Sequence, residues 1–280
     1  SRGLIGSIAT MTSGTGVFLA SLVVALVVAS VSHAQLLSWG WRIPYVIGAC
    51  FSVIALLMRL KMSETPAFQS LKASNQVSKT PIRSTFKHQL KPLVLSTCLS
   101  SYANITYYLI ASYLAVYLET VLQFNHTLAL TLITIFGIAF AFTAPLWGML
   151  SDRIGRRPLL LIGAIVFIVV SYPAFDLMIQ ASVWGVSIAL TLLALPLMAI
   201  WGAYGAASPE LFATRYRFCG TGISYNIGNS FFGGLIPFFA TLLITLSGAK
   251  AAPVWLLIIP SIIILPVIYF MPETYRSTLR

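Results

Sequence analysis

Long apolar runs with few or no charged side chains constrain the fold of this chain more than any other feature of its sequence. Runs of about 18 or more such residues are typical of membrane-spanning helices, whereas a membrane-spanning strand needs only about 10 residues. The sequence therefore predicts an all-α, multi-pass membrane protein with eight spans. The predicted spans cover residues 4–31, 43–60, 92–118, 127–150, 159–180, 183–207, 219–247 and 254–271.

The amino-acid composition excludes a soluble domain. Charged residues make up 8% of the chain, whereas soluble domains contain about 25%. The net charge is +11, but the basic residues lie between the apolar runs and are not clustered as nucleic-acid binding would require. We therefore expect a lipid bilayer as partner and no nucleic acid. Three cysteines in or beside apolar runs form neither a disulfide framework nor a metal motif.

The basic residues predict the orientation of the spans. Fifteen of the 17 Lys and Arg residues fall on one side of the predicted membrane, and only Arg42 and Lys250 fall on the other. Loops rich in Lys and Arg stay in the cytoplasm. We therefore expect both ends of this chain to be cytoplasmic, in a cell inner (plasma) membrane.

A short repeat suggests that the chain contains parts of two homologous bundles. Glu64 and Glu273 each precede a threonine and lie 209 positions apart, the same offset that separates Pro44 from Pro253. Duplicated helical bundles are common in transporters. The second copy would hold six spans and the first only two, which predicts a chain that lacks four spans at its N-terminus. The predicted domains are residues 1–60, from the first bundle, a cytoplasmic linker at 61–91, and a six-helix bundle with a short tail at 92–280.

The end of the linker has the pattern of a short interfacial helix. Ile82, Phe86 and Leu90 recur at helical spacing after Thr80 and Pro81, which are favourable helix-start residues. Basic residues alternate with this apolar stripe, as in helices that lie on a membrane surface. A disordered, solvated loop is the alternative for a linker of this composition.

The turn after the fourth predicted span carries the most specific motif of the sequence. Residues 148–158 read GMLSDRIGRRP, which resembles the GxxxDRxGRR signature of the major facilitator superfamily. Gly155 permits a tight turn, and Asp152 can dock against a helix N-terminus or pair with a nearby arginine. We interpret these contacts as a cytoplasmic gate; the alternative is that the charges only retain the loop in the cytoplasm. The gate candidates in this motif are Gly148, Asp152, Arg153, Gly155, Arg156 and Arg157.

Other predicted gate residues lie at the cytoplasmic ends of other spans. Three carboxylates there can pair with an arginine, namely Arg156, Arg157, Arg215 or Arg217, which would build an ion-paired inner gate. These carboxylates are Glu64, Glu210 and Glu273.

Three further segments resemble one branch of the superfamily, the metabolite:proton symporters. They are SWGWRIPY at 38–45, SETPAFQ at 63–69 and PELFATRYRFCGTG at 209–222; the segment NITYYLIASYL at 104–114 is most similar to proline/betaine carriers. The resemblance implies a twelve-helix fold of which this chain carries helices 5 to 12. It also implies alternating access and proton coupling.

Polar stripes inside the spans indicate where a substrate could pass, because intramembrane polar groups usually face a cavity or another helix. One stripe, on the third span, contains Thr97, Ser101, Asn104, Tyr108 and Ser112 at helical spacing; another, on the seventh, includes two asparagines. Trp201 and its neighbour Tyr204 could hold a quaternary ammonium by cation–π attraction. Helix packing is the alternative for each set. The substrate-path candidates are Ser101, Asn104, Tyr107, Tyr108, Trp201, Tyr204, Asn226 and Asn229.

These observations favour a secondary active transporter that takes up a small organic solute with protons, with a proline- or betaine-type osmolyte as the favoured substrate. The absence of a basic residue at mid-membrane depth favours a net-neutral solute. The alternatives are an organic-acid symporter for α-ketoglutarate, citrate or shikimate, and a non-transporting half-carrier or sensor. The sequence contains neither an HExxH nor a GxSxG motif, so it gives no support for an enzyme. We expect no cofactor, no metal and a monomer. No carboxylate lies mid-membrane in the eight spans, so a proton site is expected outside them.

Overall fold

A computed structural model describes residues 2–63, 69, 73 and 80–275. The described residues form helices joined by short turns, with no β-strand among them, so the all-α prediction is confirmed for this part of the chain. The chain divides into two compact units. The larger comprises residues 1–12 together with 78–280, and the smaller comprises residues 13–77.

The smaller unit contains most of α1 (Arg2–Ser30), whose first residues belong to the larger unit. It continues with α2 (His33–Ser38), a 3₁₀ turn (Gly40–Arg42) and α3 (Ile43–Lys61). A capping box starts α2: the Ser32 side chain accepts from the Gln35 N–H, and the Gln35 side chain accepts from the Ser32 N–H. Pro44 stands in the first turn of α3, where its missing N–H costs nothing.

The larger unit begins with the start of α1 and continues with eight more helices and their extensions. They are α4 (Pro81–His88), α5 (Leu90–Tyr107), α6 (His126–Ile154), α7 (Arg156–Ile179), α8 (Val183–Glu210), α9 (Thr214–Ile227), α10 (Ile236–Ser247) and α11 (Trp255–Phe270). A 3₁₀ turn, Ala252–Val254, precedes α11.

Wide π-helical turns extend two of these helices. α5 continues through a π-helical segment, Tyr108–Tyr113, a short α-helical turn and a second π-helical segment, Tyr117–Val121. α9 continues through the π-helical segment Gly228–Gly233. π-Helical turns are rare and occur frequently at functional sites. They also change which side chains share a helix face, because each wide turn contains more residues than an α-helical turn.

Glycines allow α5 and α9 to cross at very short range. A Cβ added to Gly228 would lie 2.6 Å from the backbone carbon of Ser100, and one added to Gly233 would lie 2.7 Å from the Tyr108 ring. Both separations are shorter than ordinary side-chain contacts, so any larger residue would push the two helices apart. This crossing brings the π-helical extension of α9 against the middle of α5.

The core of the larger unit lies around α8, which contacts α5, α6, α7 and α9. Gly163 of α7 and Gly202 of α8 make the closest approaches: a Cβ on the first would lie 2.8 Å from Ile200, and one on the second 2.5 Å from Trp147. In lipid no hydrophobic effect drives helices together. Helix association therefore depends on close van der Waals packing, which small residues at such positions allow. α8 therefore forms the scaffold on which the neighbouring helices are placed.

Six helical segments are long and apolar enough to cross a membrane by length and composition. They are Gly40–Lys61, Thr127–Ile154, Arg156–Ile179, Val183–Glu210, Thr214–Ser247 and Ala252–Phe270. The other two predicted spans, residues 4–31 and 92–118, are also helical except for Val31, which follows the end of α1.

The seventh predicted span, 219–247, differs from the structure in two ways. The helix begins earlier, at Thr214, and it is not continuous, because the π-helical segment and a turn separate α9 from α10. The turn falls at Gly234 and Leu235, between the π-helical segment and Pro237. Glycine lowers helix stability and proline cannot donate to the preceding turn, which explains a break that the apolar pattern alone does not reveal.

Candidate functional site

A cluster of charged side chains surrounds Arg156, the first residue of α7. Its guanidinium pairs with Asp152 at 2.7 Å and with Glu210 at 3.2 Å. The Ser151 hydroxyl accepts a further bond from Arg156 at 3.0 Å. Arg156 has 2% of its surface exposed. A buried arginine needs such a set of partners, because an unpaired charge is costly in a low-dielectric environment.

Glu210, at the end of α8, connects this cluster to both ends of the described chain. Its Oε2 accepts from the Thr274 hydroxyl at 2.6 Å and from Arg156 Nε at 3.3 Å. Its Oε1 lies 4.0 Å from the Arg2 guanidinium. Only 5% of the Glu210 side chain is exposed. One carboxylate therefore joins residues from α1, α7, α8 and the segment after α11.

Asp152 caps the N-terminus of α1. Its two carboxylate oxygens accept from the backbone N–H groups of Gly3, at 2.8 Å, and Leu4, at 3.1 Å. These N–H groups have no partner within the helix, and the helix dipole favours a negative charge at this end. Asp152 thus makes both kinds of contact that the sequence suggests, the helix cap and the arginine pair.

Glu273 caps the N-terminus of α7 in the same manner. Its Oε1 accepts from the Arg156 N–H at 3.1 Å and its Oε2 from the Arg157 N–H at 3.0 Å. Gly155 precedes them with φ of +104°, and a Cβ there would lie 2.9 Å from the Glu273 carboxylate. Only glycine adopts this backbone conformation readily. Gly155 therefore provides both the turn and the room for the cap.

Gly148 brings the start of α1 against α6. A Cβ on Gly148 would meet the Ser7 side chain, and one on Gly3 would lie 2.9 Å from Asp152. A second close approach joins α1 to α8, where a Cβ on Gly6 would lie 2.8 Å from Gly205. The first turns of α1 are thus held by backbone packing as well as by the Asp152 cap.

Not every predicted gate residue belongs to this cluster. The Arg153 side chain is exposed, and the Arg157 guanidinium lies 4.9 Å from the centre of the Tyr269 ring. Arg215 is exposed, with its guanidinium 5.6 Å from the Tyr216 ring centre and not against a carboxylate of the cluster. Glu64 lies outside the described residues.

A second site, formed by aromatic rings, lies where α5, α6 and α8 meet. The Tyr107 ring lies 5.4 Å from Trp201 and 5.8 Å from Phe140. Trp201 lies 5.6 Å from Tyr204, and Tyr107 lies 6.0 Å from Tyr108. The structure thus brings together the four aromatic substrate-path candidates and adds Phe140. We call these five residues the aromatic cluster.

One hydrogen bond fixes the central ring of the aromatic cluster. Trp201 Nε1 donates to the Ala103 carbonyl at 3.1 Å. Since an indole has only this donor, the bond sets which ring face is turned towards Tyr107 and Tyr204. Centroid separations of 5.4–6.0 Å are those of aromatic side chains packed against one another. A face of such a ring that no neighbouring ring covers can bind a desolvated cation.

The polar substrate-path candidates occupy different environments. Asn104 is buried and its amide donates to the Ser100 carbonyl at 2.9 Å, while the Ser101 hydroxyl donates to Thr97 at 2.8 Å. Asn226 is exposed and its amide donates to Gly222 at 2.8 Å. Asn229 is half-buried in the π-helical extension of α9. Asn104 lies nearest the aromatic cluster, one turn before Tyr108.

Three buried serines join α5, α8 and α9 through their hydroxyls. Ser96 Oγ lies 2.7 Å from Ser208 Oγ and 2.7 Å from Ser224 Oγ. Ser224 also donates to the Gly220 carbonyl at 2.9 Å. Since each hydroxyl in the set has a partner, the three helices gain directional contacts at no cost of an unsatisfied polar group. Among the described residues, no group of three or more His, Cys, Asp or Glu could hold a metal ion.

The amino-acid sequence matches a known protein family. The sequence matches the family described as Sugar (and other) transporter over residues 1–85 and 70–280. The chain belongs to this family. It is a family of transporters and not of enzymes.

Individual members of the family that are similar to this chain support its resemblance to proline/betaine carriers. The chain is 31% identical over 289 residues to the proline/betaine transporter of Escherichia coli K12, covering 100% of this chain and 57% of the relative. It is 30% identical over 291 residues to the glycine betaine/proline/ectoine/pipecolic acid transporter OusA of Dickeya dadantii, covering 100% and 57%. The chain thus spans somewhat more than half the length of these relatives.

A solved structure has the same fold. XylE, a major facilitator superfamily proton:xylose symporter solved with 6-bromo-6-deoxy-D-glucose, aligns with a TM-score of 0.76 and 19% identity, covering 99% of this chain and 66% of that chain. The prediction of a major facilitator fold is therefore confirmed.

Three residues of the two sites are not predicted from the sequence. Thr274 had a signal, because a threonine follows each glutamate of the repeat. Arg2 had none beyond its charge, because its closeness to Glu210 depends on how the ends of the described chain meet. Phe140 is one apolar residue in a long apolar helix, and no sequence pattern distinguishes it from its neighbours.

Proposed function

We propose that this chain is part of a secondary active transporter that takes up a small, net-neutral osmolyte of the proline or betaine type together with protons, by alternating access. The aromatic cluster is the observation that carries the proposal. Quaternary and secondary ammonium groups bind over an aromatic face by cation–π attraction, worth about 0.5–2 kcal/mol. The relatives described above are named as transporters of proline, betaine and ectoine, which supports the same class of solute.

The substrate site lies in the aromatic cluster and its polar surroundings. Trp201 is fixed by its bond to Ala103, so Tyr107 and Tyr204 meet a ring of set orientation. The five side chains of the cluster carry no charge at neutral pH, which suits a solute whose charges cancel. Asn104 and Asn229 are the nearest candidates for binding the carboxylate of such a solute.

The charge cluster around Arg156 is the cytoplasmic gate in this proposal. It holds the start of α1 against α6, α7 and α8, and these contacts have to separate when the cytoplasmic side opens. Ion pairs and caps suit this task, because water can replace each partner once the site is hydrated. Eight spans with both chain ends in the cytoplasm complete the proposed topology.

Proton coupling is proposed from the resemblance to metabolite:proton symporters. The proposed carrier therefore accumulates its solute when the outside is more acidic than the inside. A proton-carrying residue is expected outside the eight predicted spans, because they contain no mid-membrane carboxylate. The transporter is expected to work as a single chain, in the inner membrane.

Uptake into proteoliposomes tests this proposal. The protein, reconstituted with an imposed pH gradient, should accumulate labelled proline or glycine betaine, and an uncoupler should abolish the accumulation. Trp201→Ala should raise KM for the accumulated solute about tenfold, because losing the central ring removes about 1.4 kcal/mol of cation–π and packing energy. Trp184→Ala is the matched control, since Trp184 is exposed and lies outside the cluster.

Other outcomes would contradict the proposal in distinct ways. Accumulation of an organic acid, with no competition from proline or betaine, would identify an organic-acid symporter. Correct insertion without uptake of either class of solute would identify a half-carrier or sensor. An unchanged KM in Trp201→Ala would remove the aromatic cluster from the substrate site even if transport occurs.

A further inference from the structure

Helix α4 has three distinct faces, and two of them have no protein partner among the described residues. One face packs on the larger unit: Thr85 is fully buried, and α4 contacts α5 and α9. His88 lies on the same side, where its ring stacks on Tyr216 of α9 at 6.2 Å. The orientation of α4 about its own axis is therefore fixed by α9.

The second face is apolar and exposed. Ile82 and Phe86 lie one turn apart with 61% and 47% of their surfaces exposed, and Leu90, at the start of α5, extends the stripe with 58% exposed. Exposing three large apolar side chains to water is unfavourable, because the free energy gained on burial is roughly proportional to the apolar area removed from water. This stripe therefore needs an apolar environment.

The third face is basic and adjoins the apolar stripe. Arg83 and Lys87 follow Ile82 and Phe86 by one residue each, and Lys91 follows Leu90 in the same way; all three basic residues are exposed. Residues 80–118 contain no Asp or Glu, and α9, against which α4 packs, contains Arg215 and Arg217 and no acid. The long basic side chains can thus reach along the apolar stripe with no competing internal carboxylate on either helix.

We propose that α4 docks on the anionic headgroups of the membrane, with Ile82, Phe86 and Leu90 in the acyl boundary and Arg83, Lys87 and Lys91 binding lipid phosphates. An apolar face bordered by basic residues fits the surface of an anionic membrane better than a protein groove. The acyl boundary can surround the apolar stripe while the lipid phosphates pair with the basic face. Stacking of His88 on Tyr216 and burial of Thr85 hold the helix in the orientation that this docking requires. This inference does not depend on the transported solute.

Spin labels on α4 test the docking directly. In the whole chain with Cys50, Cys98 and Cys219 replaced by serine, a label is attached at Phe86→Cys, and in a second protein at Lys87→Cys as the matched position on the basic face. Both are reconstituted in phosphatidylcholine and in an equal mixture of phosphatidylcholine and phosphatidylglycerol. The label at 86 should collide more often with oxygen than with a water-soluble nickel complex, and more so in the mixture. The label at 87 should show the reverse preference.

Neutralising the basic face tests the role of lipid charge. Each basic residue near an anionic surface should contribute about a fivefold preference for phosphatidylglycerol over phosphatidylcholine. Arg83→Gln with Lys87→Gln should therefore lower the binding preference for spin-labelled phosphatidylglycerol by more than about tenfold and reduce the effect of lipid charge on the label at 86, with Lys91 retained. Arg59→Gln with Lys61→Gln, at the end of α3, is the matched control and should retain the effect at 86.

Three results would overturn the proposal. A label at 86 that is open to the nickel complex in the anionic mixture would place the stripe in water. A label protected from both reagents would show that protein covers it. An unchanged lipid preference in the α4 double variant, with the label at 86 immersed, would leave an apolar contact and exclude the phosphate binding.

Discussion

Asp152 and Arg156 lie one helical turn apart in sequence but belong to different helices, and their side chains meet at 2.7 Å. Asp152 ends in the last turn of α6 and Arg156 begins α7, with Gly155 between the two helices. The same carboxylate caps α1. A short local turn thus determines how a distant helix end is held, which makes this pair the most informative target for mutation.

Asp152→Asn should slow transport while leaving the protein inserted in the membrane. The amide removes one ion pair from Arg156 and replaces charge-assisted caps by neutral ones, which should lower the free energy of unfolding by about 1–3 kcal/mol. Initial uptake rates and thermal unfolding in detergent measure the two effects. Asp176→Asn, an exposed change on α7, is the control. Wild-type uptake in Asp152→Asn would remove Asp152 from the gate.

Arg156→Gln should be the most destabilising single change in the charge cluster. It leaves Glu210 and Asp152 without their main cation in a buried site, at an expected cost of about 3–5 kcal/mol. Arg156→Lys should recover only part of this loss, because an ammonium cannot bind Glu210 through two donors. Arg153→Gln, at the neighbouring exposed position, should change stability by less than about 0.5 kcal/mol. Equal unfolding midpoints for Arg153→Gln and Arg156→Gln would contradict the burial of the cluster.

Gly155→Ala should destabilise the turn between α6 and α7. The backbone conformation at φ +104° is strained for any residue with a side chain, by about 1–3 kcal/mol. The new Cβ would also press on the Glu273 cap. Gly137→Ala tests the specificity of the effect, because a Cβ there meets nothing within 4 Å and should be neutral or stabilising in a helix interior. Similar losses at both positions would mean that helix geometry, and not the turn, determines the response.

Gly228→Ala should separate α5 from α9. The added methyl would lie 2.6 Å from the backbone of Ser100, and overpacking of this kind costs about 1–3 kcal/mol. Gly222→Ala is the matched control on the same helix, since nothing lies within 4 Å of its Cβ. Differential scanning calorimetry in detergent measures the unfolding temperature of the two variants. An unfolding temperature of Gly228→Ala equal to that of the wild type would show that α5 and α9 can move apart without loss of stability.

The sequence predicted the helices better than it predicted their faces. Apolar runs identify helices because backbone groups in lipid must be satisfied within the segment. The stripe from Ser101 through Asn104 and Tyr108 to Ser112 assumes regular α-helical turns. The π-helical segment that starts at Tyr108 rotates the later residues, and Ser112 is exposed although Asn104 is buried. Apolar periodicity contains no signal for such a turn.

The motif at residues 148–158 predicted much of the charge cluster, because its glycine and charges belong to one short turn. Glu210 and Glu273 were also found, since carboxylates near apolar helix ends are rare in this chain. Arg215 was predicted to join them but lies against Tyr216 instead. Its neighbour Arg217 occupies the inner position and donates to the Pro209 carbonyl at 3.0 Å. Which of two nearby arginines faces inward depends on the rotation of α9, which the sequence does not define.

The Asp152 cap also has a consequence for biosynthesis. The carboxylate that accepts from the Gly3 N–H is separated from it by 149 positions, so α1 leaves the ribosome long before its cap exists. During that interval the N–H groups of Gly3 and Leu4 lack the carboxylate that they contact in the folded protein. The first described helix can therefore receive its cap only after the turn between α6 and α7 has been synthesised. A variant without the carboxylate, such as Asp152→Asn, is thus a means to trap an early insertion intermediate.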